Sequence, residues 1–149
     1  MSTAVAELTI NKSADEVWQH IRDFGDISWH GGVATCTVEG DVRTATMEGI
    51  DGLEIDERLL HHDDDARTYT YGVTKFRGPT TIDLGNGDTF DLASISGHHR
   101  ATVTVMPAGA SMSLVTYGLE LDPGHDNTLD STIGGYQQKL EHLKRVLGG

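Results

Sequence analysis

Apolar and polar positions alternate with a period of two through the middle of this chain and recur with helical spacing near its two ends. The clearest alternation lies between Leu53 and Val73. There Ile55, Glu57 and Leu59 share one face of a strand, and Tyr69, Tyr71 and Val73 share one face of the next. The acidic run Asp63-Asp64-Asp65 between them predicts a turn, so the two segments form a hairpin. Upstream, Glu39-Gly40-Asp41 separates a strand over 33–38 from one over 42–47, and Gly49-Ile50-Asp51-Gly52 leads into 53–61. Short strands punctuated this regularly predict an antiparallel meander.

The ends differ. Residues 5–10 predict an opening strand. Ser13 and Glu16 then form a capping box, followed at helical spacing by Val17, Ile21 and Phe24, with Gly25 as the stop. A second short turn or helix is expected over 26–29. Alternation returns at 101–105 and, after a turn at Pro107-Ala108-Gly109, at 112–121, where Val115, Tyr117, Leu119 and Leu121 share a face. A closing helix is predicted over 128–147. Its apolar stripe is Leu129, Ile133, Tyr136, Leu140, Leu143 and Leu147, with Lys139, Lys144 and Arg145 toward its C-terminal half. Gly134-Gly135 interrupts it, which is expected to leave room where something approaches. Residues 77–97 are broken by glycine and proline, and the segments 80–82 and 89–95 within them fit an extra hairpin or a long loop equally well.

This order predicts an α+β domain spanning 1–149. A curved antiparallel sheet wraps a long C-terminal helix, and two short helices follow the first strand. The long helix is the only element large enough to cover the apolar face of the sheet. A strongly bent sheet around one helix is not filled everywhere by side chains, so a cavity is expected between them.

With 149 residues the chain can bury roughly 70% of its extended surface. Eleven Lys and Arg against 23 Asp and Glu give a net charge of −12, which repels a phosphate backbone or an anionic membrane. Nucleic-acid binding and integral membrane association are therefore not expected. The single cysteine, Cys36, excludes an internal disulfide and reads as a structural thiol. No basic leader precedes a long apolar run, so a cytoplasmic location is expected. Homodimer formation is left open.

Trp18 in the first helix, Trp29 after it, Gly40-x-x-Arg43, Asp56-Glu57-Arg58-Leu59 and Arg67-x-Tyr69-x-Tyr71 together resemble the SRPBCC superfamily. The branch most similar is the bacterial polyketide cyclase/dehydrase and lipid-transport-like group. The resemblance spans nearly the whole chain and implies the helix-grip fold of birch-pollen allergens, START domains and plant abscisic-acid receptors. It implies a hydrophobic cavity between the concave sheet and the last helix, with Glu57, Tyr71 and, by alternation, Tyr69 facing it. It also places 47–52, from Met47, where those receptors carry a gate, and Trp29-His30-Gly31-Gly32 at the pocket entrance. Relatives usually bridge to the next strand by a short Pro-containing link, so 77–97 is an insertion that forms a lid or an edge hairpin.

Several residues carry candidate chemistry. Glu57, desolvated between Ile55 and Leu59, is either an acid/base with a raised pKa or the partner of Arg43 in an ion pair. Tyr69, Tyr71 and Tyr117 either polarise a ligand carbonyl or pack as satisfied core aromatics. His99 has the inward parity of Ala101, Val103 and Val105 and is either a second acid/base or a histidine without a role. The expected catalytic set is Glu57, His99 and Tyr71, and the expected ligand wall is Trp29, Met47, Leu59, Tyr69, Val73, Tyr117, Tyr136 and Leu140. Trp29 reads equally as a core plug. His61-His62 beside three aspartates resembles a metal cluster only in composition, because neighbours on a strand point oppositely, and His125 and His142 meet the same objection. No metal and no organic cofactor is expected. The chain also lacks the serine-hydrolase, phosphate-cradle and Cys-x-x-Cys motifs.

Two functions follow. One is a carrier or sensor that binds a small, mostly hydrophobic molecule of lipid or polyketide type. The other is a polyketide cyclase or dehydratase using Glu57 or His99 as acid/base. A protein-interaction module with a filled core is a third reading.

Overall fold

The computed structural model describes residues 1–83 and 87–149. The chain runs β1 (Ser2–Ile10), α1 (Ala14–Ile21), a 3-10 turn (Ser28–His30), β2 (Val33–Glu39), β3 (Val42–Met47), β4 (Glu54–Asp63) and β5 (Thr68–Arg77). Then follow β6 (Thr81–Asp83), β7 (Thr89–Asp91), a second 3-10 turn (Leu92–Ile95), β8 (His99–Pro107), β9 (Ser113–Leu121) and α2 (Leu129–Leu147). Seven strands form one antiparallel sheet in the order β1-β9-β8-β5-β4-β3-β2, curved around α2 in the helix-grip fold. The sheet and the long helix are as expected. The second of the two short helices is only a single 3-10 turn.

The N-terminal cap forms as the sequence requires, with the Ser13 hydroxyl accepting from the Glu16 N–H at 3.2 Å. Helix α1 ends one turn earlier than the spacing predicts: Phe24 lies beyond it, yet is still buried at 7% exposure. Gly25 is needed there for space, because a Cβ would meet Val38 Cγ2 at 2.6 Å.

Two irregularities shape the centre of the sheet. The β4–β5 register skips Thr74 between the Asp56–Lys75 and Glu57–Val73 pairs, and skips Leu60 between Leu59–Tyr71 and His61–Thr70. Extra residues of this kind bend a strand and tighten its twist. The second also changes parity, which turns His62 rather than His61 to the side of Tyr69, where their rings stack at 6.3 Å. The insertion resolves as the extra hairpin, β6 paired with β7. Its strand stops at Asp91 and continues as a 3-10 turn, since the Asp91 carboxylate accepts from the Ala93 N–H and starts that turn. Of the glycines that break this stretch, Gly85 lies outside the described residues.

The core joins the inner faces of β1, β5, β8 and β9 to α1 and α2. Val103, Val115, Tyr117, Leu121, Leu140 and Leu143 are fully enclosed in it. Burial alternates along β8 as far as Met106 and along the whole of β9, and α2 buries Tyr136, Leu140 and Leu143 from the stripe read in the sequence. Gly148 ends α2 in the left-handed conformation, φ 72°. Among the described residues, no helix is long and apolar enough to cross a membrane.

Candidate functional site

The inner face of the sheet carries an unusual density of polar groups. Arg43 on β3 lies opposite Glu57 on β4, so the pleat turns both to the same side. Arg43 is wholly buried. Its Nε donates to Glu57 Oε1 at 2.8 Å and its Nη1 to the Phe24 carbonyl at 2.9 Å. The guanidinium also lies over the rings of Phe24 and Tyr71, at 4.1 and 4.5 Å from their centroids. Of the two arrangements open to Glu57, the ion pair is the one formed. A carboxylate so close to a buried guanidinium is held as its charge partner.

Tyr71, Tyr117, Tyr136 and His99 form a second polar group, one strand further across. The hydroxyls of Tyr71 and Tyr117 are hydrogen-bonded. His99 Nε2 lies 2.6 Å from the Tyr136 hydroxyl, and the Val73 N–H donates to His99 Nδ1 at 3.3 Å. A backbone donor on Nδ1 makes that nitrogen an acceptor, so the proton resides on Nε2 and is donated to Tyr136. Burial pushes the His99 pKa down to about 4, so the ring is neutral at physiological pH. The same desolvation raises Tyr71 and Tyr117 well above the ordinary phenol value, and Tyr136 is raised for the same reason. Tyr117 and Tyr136 stack at 4.0 Å, and Trp29 packs against Tyr117 at 6.1 Å.

These rings occupy the middle of the grip, where the sequence reading expected a hollow. Large side chains from β5, β9 and α2 reach one another across it. A cleft of about 490 Å³ opens at one mouth of the grip, lined by His30, Met47, Glu48, Ile50, Gly135 and Lys139 among others, and clefts of similar size lie elsewhere on the surface. Gly135 leaves its wall bare: nothing lies within 4 Å of where a Cβ would stand, at Gly135 or at Gly134. The room expected there is present, but no other part of the chain approaches it. Gly31 does have a close neighbour, the His142 ring at 2.9 Å from a would-be Cβ, and its φ of 74° also calls for glycine.

Two groups at this mouth have no matching partner. His30 is 5% exposed and its Nε2 is buried without a hydrogen bond among the described residues. Desolvation first, then the positive charges of Lys139 and Arg43, pushes its pKa well below the usual histidine value. Lys139 is half-buried and turns its ammonium inward, 5.1 Å from the Tyr136 centroid and 5.7 Å from that of Tyr117. Burial, opposed by the charge of Glu57, lowers its pKa to about 8.

Of the residues expected to line the site, Met47 lines the cleft itself, and Tyr117 and Tyr136 lie beneath Lys139. Tyr71 and His99 join this group through their rings, 5.9 Å apart. Among the described residues no hydrogen bond joins Glu57 to His99 or to a tyrosine, so the three do not converge on one point. Trp29 is a core plug at 2% exposure, while Leu140 and Val73 are packed and Leu59 is half-buried at the core edge. Tyr69 packs with Trp18 and Phe24. Sequence reasoning missed Lys139 and His30. Lys139 stands three residues after Tyr136, a helical neighbour of the apolar stripe, and that spacing was the available signal.

The family model described as polyketide cyclase / dehydrase and lipid transport matches residues 1–148. A comparison with curated proteins finds no match. Among solved structures, an uncharacterized protein from Bacillus thuringiensis is 20% identical with a TM-score of 0.76, over 99% of this chain and 100% of that one. XoxI from Bacillus cereus is 21% identical with a TM-score of 0.75, over 98% and 95%. Norcoclaurine synthase from Thalictrum flavum, in complex with dopamine and hydroxybenzaldehyde, is 15% identical with a TM-score of 0.69, over 98% and 86%. At these identities the structural likeness establishes the fold alone.

Proposed function

The chain belongs to the polyketide cyclase / dehydrase and lipid transport family, and from that membership we propose that it binds a small, mostly hydrophobic molecule at the mouth of the grip, as a carrier or sensor. The observation that carries this reading is the cleft of about 490 Å³ beside α2. Its volume falls in the range of small-molecule sites, and it combines apolar Met47 and Ile50 with a few polar groups, as such sites do. Norcoclaurine synthase, which shares the fold, is seen with dopamine and hydroxybenzaldehyde, so this fold can hold ligands of that size. The ligand is of lipid or polyketide type on this reading, and the protein works in the cytoplasm without nucleic acid.

Native mass spectrometry of the protein as purified tests the proposal. A co-purified small molecule, lost on denaturation, is the expected result. A bare polypeptide mass, together with no binding of a solvatochromic naphthalene probe, overturns it.

One observation favours a cyclase or dehydratase as the second reading. A lysine over the faces of Tyr136 and Tyr117, its pKa lowered to about 8, can accept and return protons near neutral pH. Of the two acid/bases first expected, Glu57 is committed to Arg43, and neutral His99 presents only its Nε2–H to Tyr136. Proton transfer on this reading therefore passes through Lys139.

A further inference from the structure

We propose that the molecule held at the mouth is an apolar acid, and that its carboxylate docks on the inward-facing ammonium of Lys139 with the His30 imidazole beside it. The inference rests on the ligand-binding reading above and names the chemistry of the ligand.

The first argument is local charge. The chain as a whole carries −12, yet this cleft is lined by Lys139 and Arg145 against the single carboxylate of Glu48. A basic patch in an acidic protein draws an anion to that place rather than to the rest of the surface.

The second is the unmet need of Lys139. Three arginines away from the cleft are neutralised by carboxylates: Arg22 by Asp64, Arg77 by Asp56, Arg100 by Asp122. Among the described residues Lys139 has no ion pair, although its ammonium is turned inward and partly desolvated. The faces of Tyr136 and Tyr117 compensate some of that loss. A carboxylate completes it, since a charge-assisted hydrogen bond is about twice as strong as a neutral one.

The third is His30. The residue lines the same cleft, and its enclosed Nε2 is one of six buried side-chain atoms among the described residues that lack a partner. In its neutral form, with the proton on Nε2, it donates to the second carboxylate oxygen. The inward ammonium and this neutral donor together match the two oxygens of a carboxylate. The apolar remainder of the ligand then lies along Met47, Ile50 and the bare wall at Gly135.

The test is competition binding with dodecanoic acid and phenylbutanoic acid, each beside its methyl ester, at neutral pH. For at least one pair the acid is expected to bind about tenfold tighter than its ester. Lys139→Gln is expected to abolish that preference and Lys139→Arg to keep most of it, with thermal melts confirming that both fold. Equal affinity for acid and ester, or a preference that survives in Lys139→Gln, overturns the inference and leaves the ligand-binding reading standing. Failure of acids and esters alike to bind overturns both.

Discussion

Arg43 and Glu57 face each other across β3 and β4 with 2.8 Å between Nε and Oε1, and the guanidinium has no exposure to solvent. A charge this deep is tolerated because its partner, the Phe24 carbonyl and two aromatic faces all meet it. Removing one partner leaves the other buried and uncompensated, which outweighs any packing gain. Glu57→Gln is therefore expected to destabilise the protein by about 3 kcal/mol in urea unfolding. Replacing the pair together, Arg43→Met with Glu57→Leu, is expected to recover most of that loss. A Glu57→Gln protein as stable as the parent would show that the pair contributes nothing.

The neutral state of His99 makes stability depend on pH in a defined window. In the unfolded chain histidine takes up a proton near pH 6.5, whereas in the folded protein it does so only near 4. The stabilising contribution is thus complete above pH 6.5 and lost as pH falls toward 4, by about 3 kcal/mol at most. His30 is shifted the same way and adds to the slope. Urea midpoints measured across this window should fall with pH, and less steeply in His99→Gln. A flat profile would contradict the assignment.

Asp64 responds at lower pH. Hydrogen bonds from Arg22 and from the Trp18 indole, the latter at 2.9 Å, hold its carboxyl at about 2. What it contributes is present above the unfolded carboxyl value and disappears as pH falls through about 2. The Trp18 indole N–H resonance should therefore move with a midpoint near pH 2, and Asp64→Asn should remove that step. An unchanged titration in the variant would assign the step to another group.

The two glycines of α2 separate stability from binding. Gly134 is exposed, with open space where a Cβ would stand. Gly134→Ala is expected to raise stability by about 0.5–1 kcal/mol through helix propensity and a less flexible unfolded chain. Gly135→Phe has room to fold but fills the wall of the cleft. It is expected to weaken binding of the naphthalene probe at least tenfold while the melting temperature stays near that of the parent. Unaltered probe binding would place the ligand elsewhere.

Tyr136 accepts the proton of a histidine that has no solvent. Tyr136→Phe strands that donor, at a cost of about 1–3 kcal/mol. Urea unfolding measures it, and no loss would mean that His99 finds another acceptor.

Much of the architecture was legible in the chain because it follows from local rules. Ser13 and Glu16 mark a cap, the period-two runs in β4, β5, β8 and β9 mark inner faces, and the Leu129-to-Leu147 stripe marks the helix they grip. The insertion was legible only as two options. A three-residue strand such as β7 carries too little periodicity to distinguish itself from loop. The extra residues Leu60 and Thr74 were invisible, because register arises between strands and not within one. Leu60 decides that His62, not His61, stacks on Tyr69.

By itself the sequence determined the order of elements, the antiparallel sheet, the inward parity of Glu57, Tyr71, Tyr117 and His99, and the acidic charge. These depend on residue type and on spacing along one strand or helix. Only the tertiary structure decided that Glu57 is bound to Arg43, that tyrosine rings occupy the centre, and that a cleft opens at the mouth beside Lys139 and His30. Those outcomes turn on which side chains from distant elements are long enough to meet, and on which polar groups are left without a partner once they have. Neither is a property of any one segment.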